Sequence, residues 1–227
     1  MTSHAATTRV KVLLVDDEAL IRSGFRFVLG VDPAIEVVGE AAEGATAVEM
    51  VRLHRPDVVL MDVRMPGVNG EEATARIVAE SASRVVAMTS IDAEGQLMRM
   101  LVAGASGYLL KDEAPARIVE AVHKAAAGDA VFSAQSTALL VKRAVESEGG
   151  AGRSGALERI AGLTDRERDV ASLVSSGATN QQIGTSLHIS PGTVKTHLEA
   201  IFGKLAVRNR VQVGVIFERA GLGPSDV

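Results

Sequence analysis

The chain of 227 residues contains no cysteine, so it has neither a disulfide framework nor a thiolate metal site. Its five histidines are scattered, and none forms a pair at the spacing of one helix face, which argues against a zinc site. No apolar run approaches the roughly 18 residues that a membrane span needs, and residues 1–4 lack a signal-segment pattern. We therefore expect a soluble, cytoplasmic protein that does not contact a membrane.

The net charge of −4 conceals a difference between the two parts of the chain. Up to residue 143 the acidic residues outnumber the basic ones, whereas from residue 153 onward the basic residues are in slight excess. An acidic region suits cation chemistry, and a basic region suits a polyanion such as nucleic acid. The excess in the second part is small, so charge alone is weak support for nucleic-acid binding.

Short apolar runs alternate with helical segments up to about residue 127. The runs are continuously apolar rather than alternating, which indicates strands buried on both faces of a parallel sheet. We predict an α/β domain over residues 1–130, with a doubly wound, five-stranded parallel sheet of strand order 2-1-3-4-5. The predicted strands are Val10–Val15, Ile35–Val38, Val58–Met61, Val85–Met88 and Tyr108–Leu110, and the last helix is Ala114–Ala127.

The remainder is predicted to be a connecting region and a smaller all-α domain. Residues 131–156 contain a helix at 134–145, capped by Ser133, and a glycine-rich flexible linker at 146–155. The two domains should then reorient freely unless an interface holds them. Residues 157–227 are predicted to form four helices, whose starts are marked by the capping residues Thr164, Thr179, Ser190 and Asn209.

Five chemically suitable residues follow successive strands of the predicted sheet. Because the carboxyl ends of parallel strands meet at one edge, their side chains should converge there. Carboxylates can hold Mg²⁺ and supply a nucleophilic oxygen, a hydroxyl can donate to a phosphoryl oxygen, and an ammonium can neutralise its charge. The residues are Asp16, Asp17, Asp62, Thr89 and Lys111.

Two other interpretations of these residues are weaker. Acidic residues at loop starts can simply cap helices, but five suitable residues at four strand ends are unlikely to arise by chance. A dinucleotide site would require a glycine-rich turn after the first strand, where the chain instead continues Asp16-Asp17-Glu18. Asp57 serves as an internal control, because it lies at the opposite end of the same strand as Asp62.

The third predicted helix of the C-terminal domain has one face of apolar side chains and an opposite, slim face of small side chains. The apolar stripe is Val194, Leu198, Ile201 and Leu205, and the opposite face carries Thr193, Thr196, Ala200 and Gly203. Lys195, His197 and Lys204 flank the slim face, which suits insertion into a DNA major groove. A merely solvated face would carry Glu and Lys throughout.

We predict specific roles for the polar residues around this helix. Lys195 and Thr196 should reach base edges, and a second set should hold phosphates. That second set is Thr179, Asn180, Thr193, His197, Lys204 and Arg208. His197 has an alternative interpretation as a partly buried helix residue.

Residues from about Val10 to Ala127 resemble the receiver domain of bacterial response regulators, a flavodoxin-like fold. The matching residues are Val15-Asp16-Asp17, Asp62-x-x-Met65-Pro66-x-x-x-Gly70, Thr89 and Gly104-Ala105-x-Gly107-Tyr108-Leu109-x-Lys111. The resemblance implies that Asp62 accepts a phosphoryl group from a sensor histidine kinase. It also implies that Asp17, Asp62 and the Arg64 backbone carbonyl ligate Mg²⁺, that Asp16 assists through water, and that Thr89 and Tyr108 form a switch pair. Tyr108 could alternatively serve only in strand-edge packing.

The tail resembles the LuxR-type helix-turn-helix, so the whole chain resembles a response regulator of the NarL/FixJ type. The matching segments are Leu163–Arg168, Gly177–Ile183 and Ser190–His197. One departure is Ala206, where relatives usually carry a helix-ending glycine, and a left-handed residue there should cost about 1 kcal/mol.

The resemblance implies a transcription regulator, not an enzyme, that binds double-stranded DNA as a homodimer. The last helix is a candidate interface between two copies through Val211, Val215 and Phe217. Two alternatives remain. A phosphotransfer or phosphatase enzyme would need an additional substrate-binding cap, and a phosphorylation-independent DNA-binding protein would not need Asp62 and Lys111.

Overall fold

The computed structural model describes residues 9–90, 94–132 and 151–222. The first domain is built on a parallel sheet with the order β2-β1-β3-β4-β5-β6, which confirms the predicted order of the first five strands. The strands are β1 (Val10–Val15), β2 (Ile35–Ala41), β3 (Val58–Asp62), β4 (Arg84–Thr89), β5 (Gly107–Leu110) and β6 (Val131–Phe132). The two-residue β6 was not predicted, because so short a strand carries no periodic signal. It extends the sheet two residues past the predicted domain end at residue 130.

Helices cover both faces of the sheet, as the continuously apolar strands predicted. Successive side chains of a strand point to opposite faces, so Leu13 packs with the cluster on one side and Leu14 with the cluster on the other. The helices are α1 (Ala19–Gly30), α2 (Gly44–His54), α3 (Gly70–Glu80), α4 (Glu94–Ala103) and α5 (Pro115–Ala127). The first cluster includes residues of α2, α3 and α4, and the second includes residues of α1 and α5.

The second domain is helical and has a core of its own. Its helices are α6 (Ala151–Ala161), α7 (Asp165–Ser175), α8 (Asn180–Leu187), α9 (Pro191–Lys204) and α10 (Arg210–Ala220). The four predicted caps are all confirmed. Each capping side chain accepts a hydrogen bond from the backbone three residues on, and Thr164 and Thr179 form complete capping boxes.

The predicted flexible linker is wrong over residues 151–155, because α6 begins at Ala151. Glycine disfavours a helix, yet tertiary packing outweighs that preference here. Ala156 and Ile160 of α6 are buried in the core of the second domain, so this domain begins earlier than the predicted residue 157. The predicted helix at 134–145 and the linker residues 146–150 lie outside the described residues.

The turn between α9 and α10 contains the predicted left-handed residue. Ala206 has φ of +48°, and its N–H donates to the Gly203 carbonyl. A side chain in this region of backbone space is strained, so the helix ends at a cost that glycine would avoid. In the described part of the chain, no helix combines the length and apolar character needed to cross a membrane.

Candidate functional site

Three carboxylates meet at the carboxyl edge of the sheet. Asp16 and Asp17 follow β1 and Asp62 ends β3, and the pairing of Val15 with Met61 places these two strand ends side by side. One carboxylate oxygen from each of the three lies within 4.8 Å of the others. Asp16 and Asp62 are buried and Asp17 is exposed. This geometry confirms the predicted convergence of Asp16, Asp17 and Asp62 at one edge of the sheet.

Lys111 lies against two of these carboxylates. Its Nζ is 2.6 Å from Asp16 Oδ2 and 3.1 Å from Asp62 Oδ2, and its side chain is only 8% exposed. Burial opposes the charge of the ammonium, but the hydrogen bonds that Lys111 donates to Asp16 and Asp62 outweigh this effect and raise the pKa of Lys111. Burial raises the pKa of Asp62, and Lys111 limits that rise.

The donor set fits a divalent cation. Three carboxylates and one ammonium leave two unneutralised negative charges, and hard carboxylate oxygens are the ligands that Mg²⁺ prefers. Arg64 lies in the loop that follows β3, and its backbone N–H donates to Asp62 Oδ1 at 3.3 Å. This bond fixes the start of the loop that would also present the Arg64 carbonyl.

Thr89 and Tyr108 lie on the strands beyond β3. Thr89 ends β4, next to the Asp62 end of β3, and its Oγ1 is 3.5 Å from Gln96 Oε1. Tyr108 is 1% exposed and packs in the cluster that also contains Leu97 and Met100 of α4. Its ring therefore packs in the core with residues of α4, and both its switch role and its alternative packing role stay predictions.

An open cleft adjoins the carboxylates between the β3–α3 loop and the first turn of α4. Its polar lining residues are Asp17, Arg64, Asn69, Glu71, Gln96 and Arg99. Sequence reasoning missed Gln96, because no motif contains it and only the fold brings α4 beside Thr89. The control residue Asp57 lies at the other edge, where its carboxylate accepts the Lys11 N–H at 2.8 Å.

In the second domain, α9 presents the predicted slim face. The apolar stripe Val194, Leu198, Ile201 and Leu205 is buried, whereas Thr193, Lys195, Thr196, Ala200 and Gly203 are exposed. His197 is half-buried, which agrees in part with its alternative interpretation. The face predicted to enter a groove is thus open to solvent.

Lys204 at the end of α9 is held by an acidic residue of α7. Its Nζ lies 2.6 Å from Glu167 Oε2, and the same oxygen accepts the Thr164 N–H of the capping box. The Lys204 and Thr164 bonds lower the pKa of Glu167. Lys204 therefore contributes to the packing of the domain as well as to its surface charge.

Two of the predicted phosphate-binding residues contact the first domain, Asn180 as a buried side chain and Arg208 as an exposed one. Asn180 is 2% exposed, its N–H donates to Asp129 Oδ1 at 2.9 Å, and its Nδ2 donates to the Ala127 carbonyl at 2.7 Å. Arg208 donates from Nη1 to the Ala103 carbonyl at 3.2 Å. The buried Asn180 side chain cannot keep its bond to Ala127 and also bind DNA, whereas the exposed Arg208 has further guanidinium N–H groups besides the one bonded to Ala103.

Neighbouring residues complete the interface between the domains. Asn209 Nδ2 donates to the carbonyls of Leu101 at 3.1 Å and Ala105 at 2.9 Å, and Gln212 Nε2 donates to Leu101 at 2.9 Å. Carbonyls in the last turn of a helix have no intrahelical partner, so the second domain caps the C-terminal end of α4. Gly104 makes room for this contact, because a Cβ there would lie 3.0 Å from the Arg208 side chain.

Arg210 anchors the same interface at the end of α5. Its guanidinium lies 2.9 Å from Asp129 Oδ1 and also donates to the carbonyls of Gly128 and Ala178. Burial lowers the pKa of Arg210, and the Asp129 charge opposes this. The sequence predicts no role for Arg210, whose side chain is buried at this interface.

The candidate dimer residues of α10 have different environments. Phe217 is 2% exposed within the core of the second domain, so its expected place at an interface between copies is wrong. Val211 packs against the core of the first domain, and Val215 is half-buried.

Two family models match the chain, one for each domain. The response regulator receiver domain matches residues 12–123, and the luxR family of bacterial regulatory proteins matches residues 161–217. The nitrate/nitrite response regulator protein NarL of Escherichia coli K12 is 35% identical over 205 residues, covering 90% of this chain and 93% of that protein. The transcriptional regulatory protein LiaR of Bacillus subtilis is 36% identical over 211 residues, covering 92% and 97%.

A solved structure agrees with both matches. The response regulator ChrA of a heme-sensing two-component system is 29% identical, with a TM-score of 0.52 and coverage of 95% of this chain and 99% of that chain. Fold and site together define a receiver domain joined to a LuxR-type helix-turn-helix domain. The chain belongs to the two-component response regulators of the NarL type and is a DNA-binding transcriptional regulator.

Proposed function

We propose that Asp62 is the phosphoacceptor of this regulator and that a sensor histidine kinase is the phosphodonor. The observation that carries the proposal is the convergence of Asp16, Asp17, Asp62 and Lys111, with Thr89 on the next strand. Asp57, which directly precedes the same strand at the other edge of the sheet, has none of these neighbours.

The arrangement supports in-line transfer of a phosphoryl group. An Asp62 carboxylate oxygen attacks the phosphorus of a phosphohistidine, the P–N bond breaks, and the imidazole leaves with the electron pair. Lys111 would pair with one phosphoryl oxygen, and the Thr89 hydroxyl would donate to another. Mg²⁺ held by Asp17, Asp62 and the Arg64 carbonyl would neutralise charge on the phosphoryl oxygens. The Asp16–Lys111 ion pair supports a water-mediated role for Asp16.

Phosphorylation would act on DNA binding through the interface between the domains. The buried Asn180 side chain bonds to the receiver and would have to leave it to bind a phosphate, and the exposed Arg208 is tethered to the receiver through one guanidinium nitrogen. Opening would also uncover Val211 on α10, which supports pairing of two DNA-binding domains. Pairing would compensate for the small positive excess of a single DNA-binding domain, because a linked second contact raises the effective concentration at the site.

Labelling followed by DNA titration tests this proposal. With Mg²⁺ and acetyl phosphate, the protein should gain one phosphoryl group and bind footprinted genomic fragments more tightly as a dimer. Asp62→Asn should abolish both changes, whereas Asp57→Asn should retain them. Label retained by Asp62→Asn would refute the assignment, and unchanged DNA affinity after full labelling would refute the coupling.

A further inference from the structure

A phosphoryl group on Asp62 would lie beside an open cleft, which gives water a route to it. Asp16 and Lys111 are buried against Asp62 and close the inner side of the site. Hydrolysis needs a water in line with the bond that breaks, opposite the Asp62 oxygen. The cleft between the β3–α3 loop and α4 is the opening from which that water can approach.

Most polar groups lining this cleft are already engaged or have the wrong chemistry. Asn69 caps α3 by accepting the Glu72 N–H at 2.9 Å, and Glu71 pairs with Arg99 at 3.1 Å. Asp17 belongs to the cation site. Arg64 is a donor only, so it cannot accept a proton of the attacking water.

Gln96 is the lining residue that remains. It lies in the first turn of α4, is half-buried, and contacts Thr89 Oγ1 through Oε1 at the long distance of 3.5 Å. When Thr89 donates to a phosphoryl oxygen, this contact is given up and the amide lies beside the reacting group. Its Oε1 can then accept a hydrogen bond from water and direct the water lone pair toward phosphorus.

We propose that Gln96 positions the water that hydrolyses phospho-Asp62 and so sets the lifetime of the active state. The inference rests on the proposed phosphorylation of Asp62. The water oxygen forms a bond to phosphorus, the bond between phosphorus and the Asp62 oxygen breaks, and Asp62 recovers its carboxylate. Both protons of the water end on the released inorganic phosphate, and Gln96 is unchanged.

The test separates gain of the phosphoryl group from its loss. Labelling by acetyl phosphate with Mg²⁺ gives the rate of gain, and decay after donor removal gives the rate of hydrolysis. Gln96→Met keeps the length of the side chain but removes the acceptor, so hydrolysis should slow on the order of tenfold while the rate of gain changes less than twofold. Gln96→Glu restores an acceptor and should recover much of the hydrolysis rate.

Met98→Ala is the matched control, because Met98 packs against the core from the same helix and does not line the cleft. It should leave the rate of hydrolysis within twofold. The inference is overturned if phospho-Asp62 in Gln96→Met is hydrolysed at the same rate as in the protein without the substitution. It is also overturned if phosphorylation and hydrolysis slow by the same factor, because general damage to α4 would have that effect. If the protein without substitutions gains no label on Asp62, the proposed phosphorylation itself is refuted. This outcome differs from the two that overturn the role of Gln96.

Discussion

The two domains place their functional groups in opposite ways. In the receiver, the side chains of Asp16 and Asp62 are buried and paired with Lys111 at the carboxyl edge of the sheet. In the DNA-binding domain, Lys195 and Thr196 lie on a helix face that is exposed to solvent. A buried charge is costly unless another group of the same domain pairs with it. An exposed charge is solvated by water and needs no partner until DNA binds. Mutations should therefore cost stability in the first domain and mainly affinity in the second.

Lys111→Met should give the largest effect on stability. It leaves Asp16 and Asp62 buried together without their cation, which should lower the free energy of unfolding by about 3 kcal/mol. Mg²⁺ should restore part of this loss, because it supplies the missing positive charge. Thermal unfolding with and without Mg²⁺ measures both effects.

Lys124→Met is the control, because Lys124 pairs with Glu120 on an exposed helix surface. It should leave the unfolding midpoint unchanged. Equal destabilisation by the two variants would contradict the distinction between the buried site and the surface.

Lys195→Ala tests the exposed face of α9. Loss of a base contact should weaken binding to the specific site by about 1–3 kcal/mol with little change on random DNA. Lys204→Ala should weaken binding to all sequences alike, and it should also lower stability because Lys204 pairs with Glu167. Titration of specific and random duplexes at several salt concentrations measures the affinity of each variant. If each variant lost the same affinity for specific and for random DNA, the proposed division of roles between Lys195 and Lys204 would be refuted.

Asn209→Asp should open the interface without disturbing α10. The aspartate can still accept the Gln212 N–H as a cap, but it loses both bonds to receiver carbonyls and brings a negative charge to the end of α4. The unphosphorylated protein should become more extended in small-angle X-ray scattering, and its affinity for specific DNA should rise about tenfold, or about 1.4 kcal/mol.

Thr164→Asp, a cap exchange on α7, is the control for that experiment. An equal gain in affinity from both variants would show that added charge, and not release from the receiver, is responsible.

Ala206→Gly should have the smallest effect, a stabilisation of about 0.5–1 kcal/mol from relief of the left-handed strain. Ala200→Gly, in the middle of α9, should destabilise by a similar amount, because glycine is unfavourable within a helix. Chemical denaturation of both variants gives the comparison, and a loss of stability in Ala206→Gly would show that strain at this turn is negligible.

Local chemistry made much of this molecule predictable from the sequence. Thr164 and Thr179 mark helix starts through bonds within their own turn, and Asp62 follows an apolar run whose burial is visible in the sequence. Strand order then brings Asp16 beside Asp62. Each step depends on neighbours in the chain or on one topological rule.

The parts that were missed depend on contacts between distant segments. Gln96 reaches the site only because α4 packs beside β4, and Arg210 is buried only because Asp129, 81 residues earlier, meets it across the interface. The helical state of residues 151–155 likewise comes from packing of α6 into its domain, against the preference of its glycines. None of these contacts leaves a periodic or motif signal.

The engagement of Asn180 and Arg208 by the receiver has a thermodynamic consequence. Under the proposed function, DNA and the receiver compete for the Asn180 side chain, which would make DNA an effector of the receiver. Linkage is reciprocal: whatever factor phosphorylation adds to DNA affinity, bound DNA must add to the equilibrium for phosphorylation. At equilibrium, the phosphorylated fraction would then be higher for the protein bound at a promoter than for the protein free in solution.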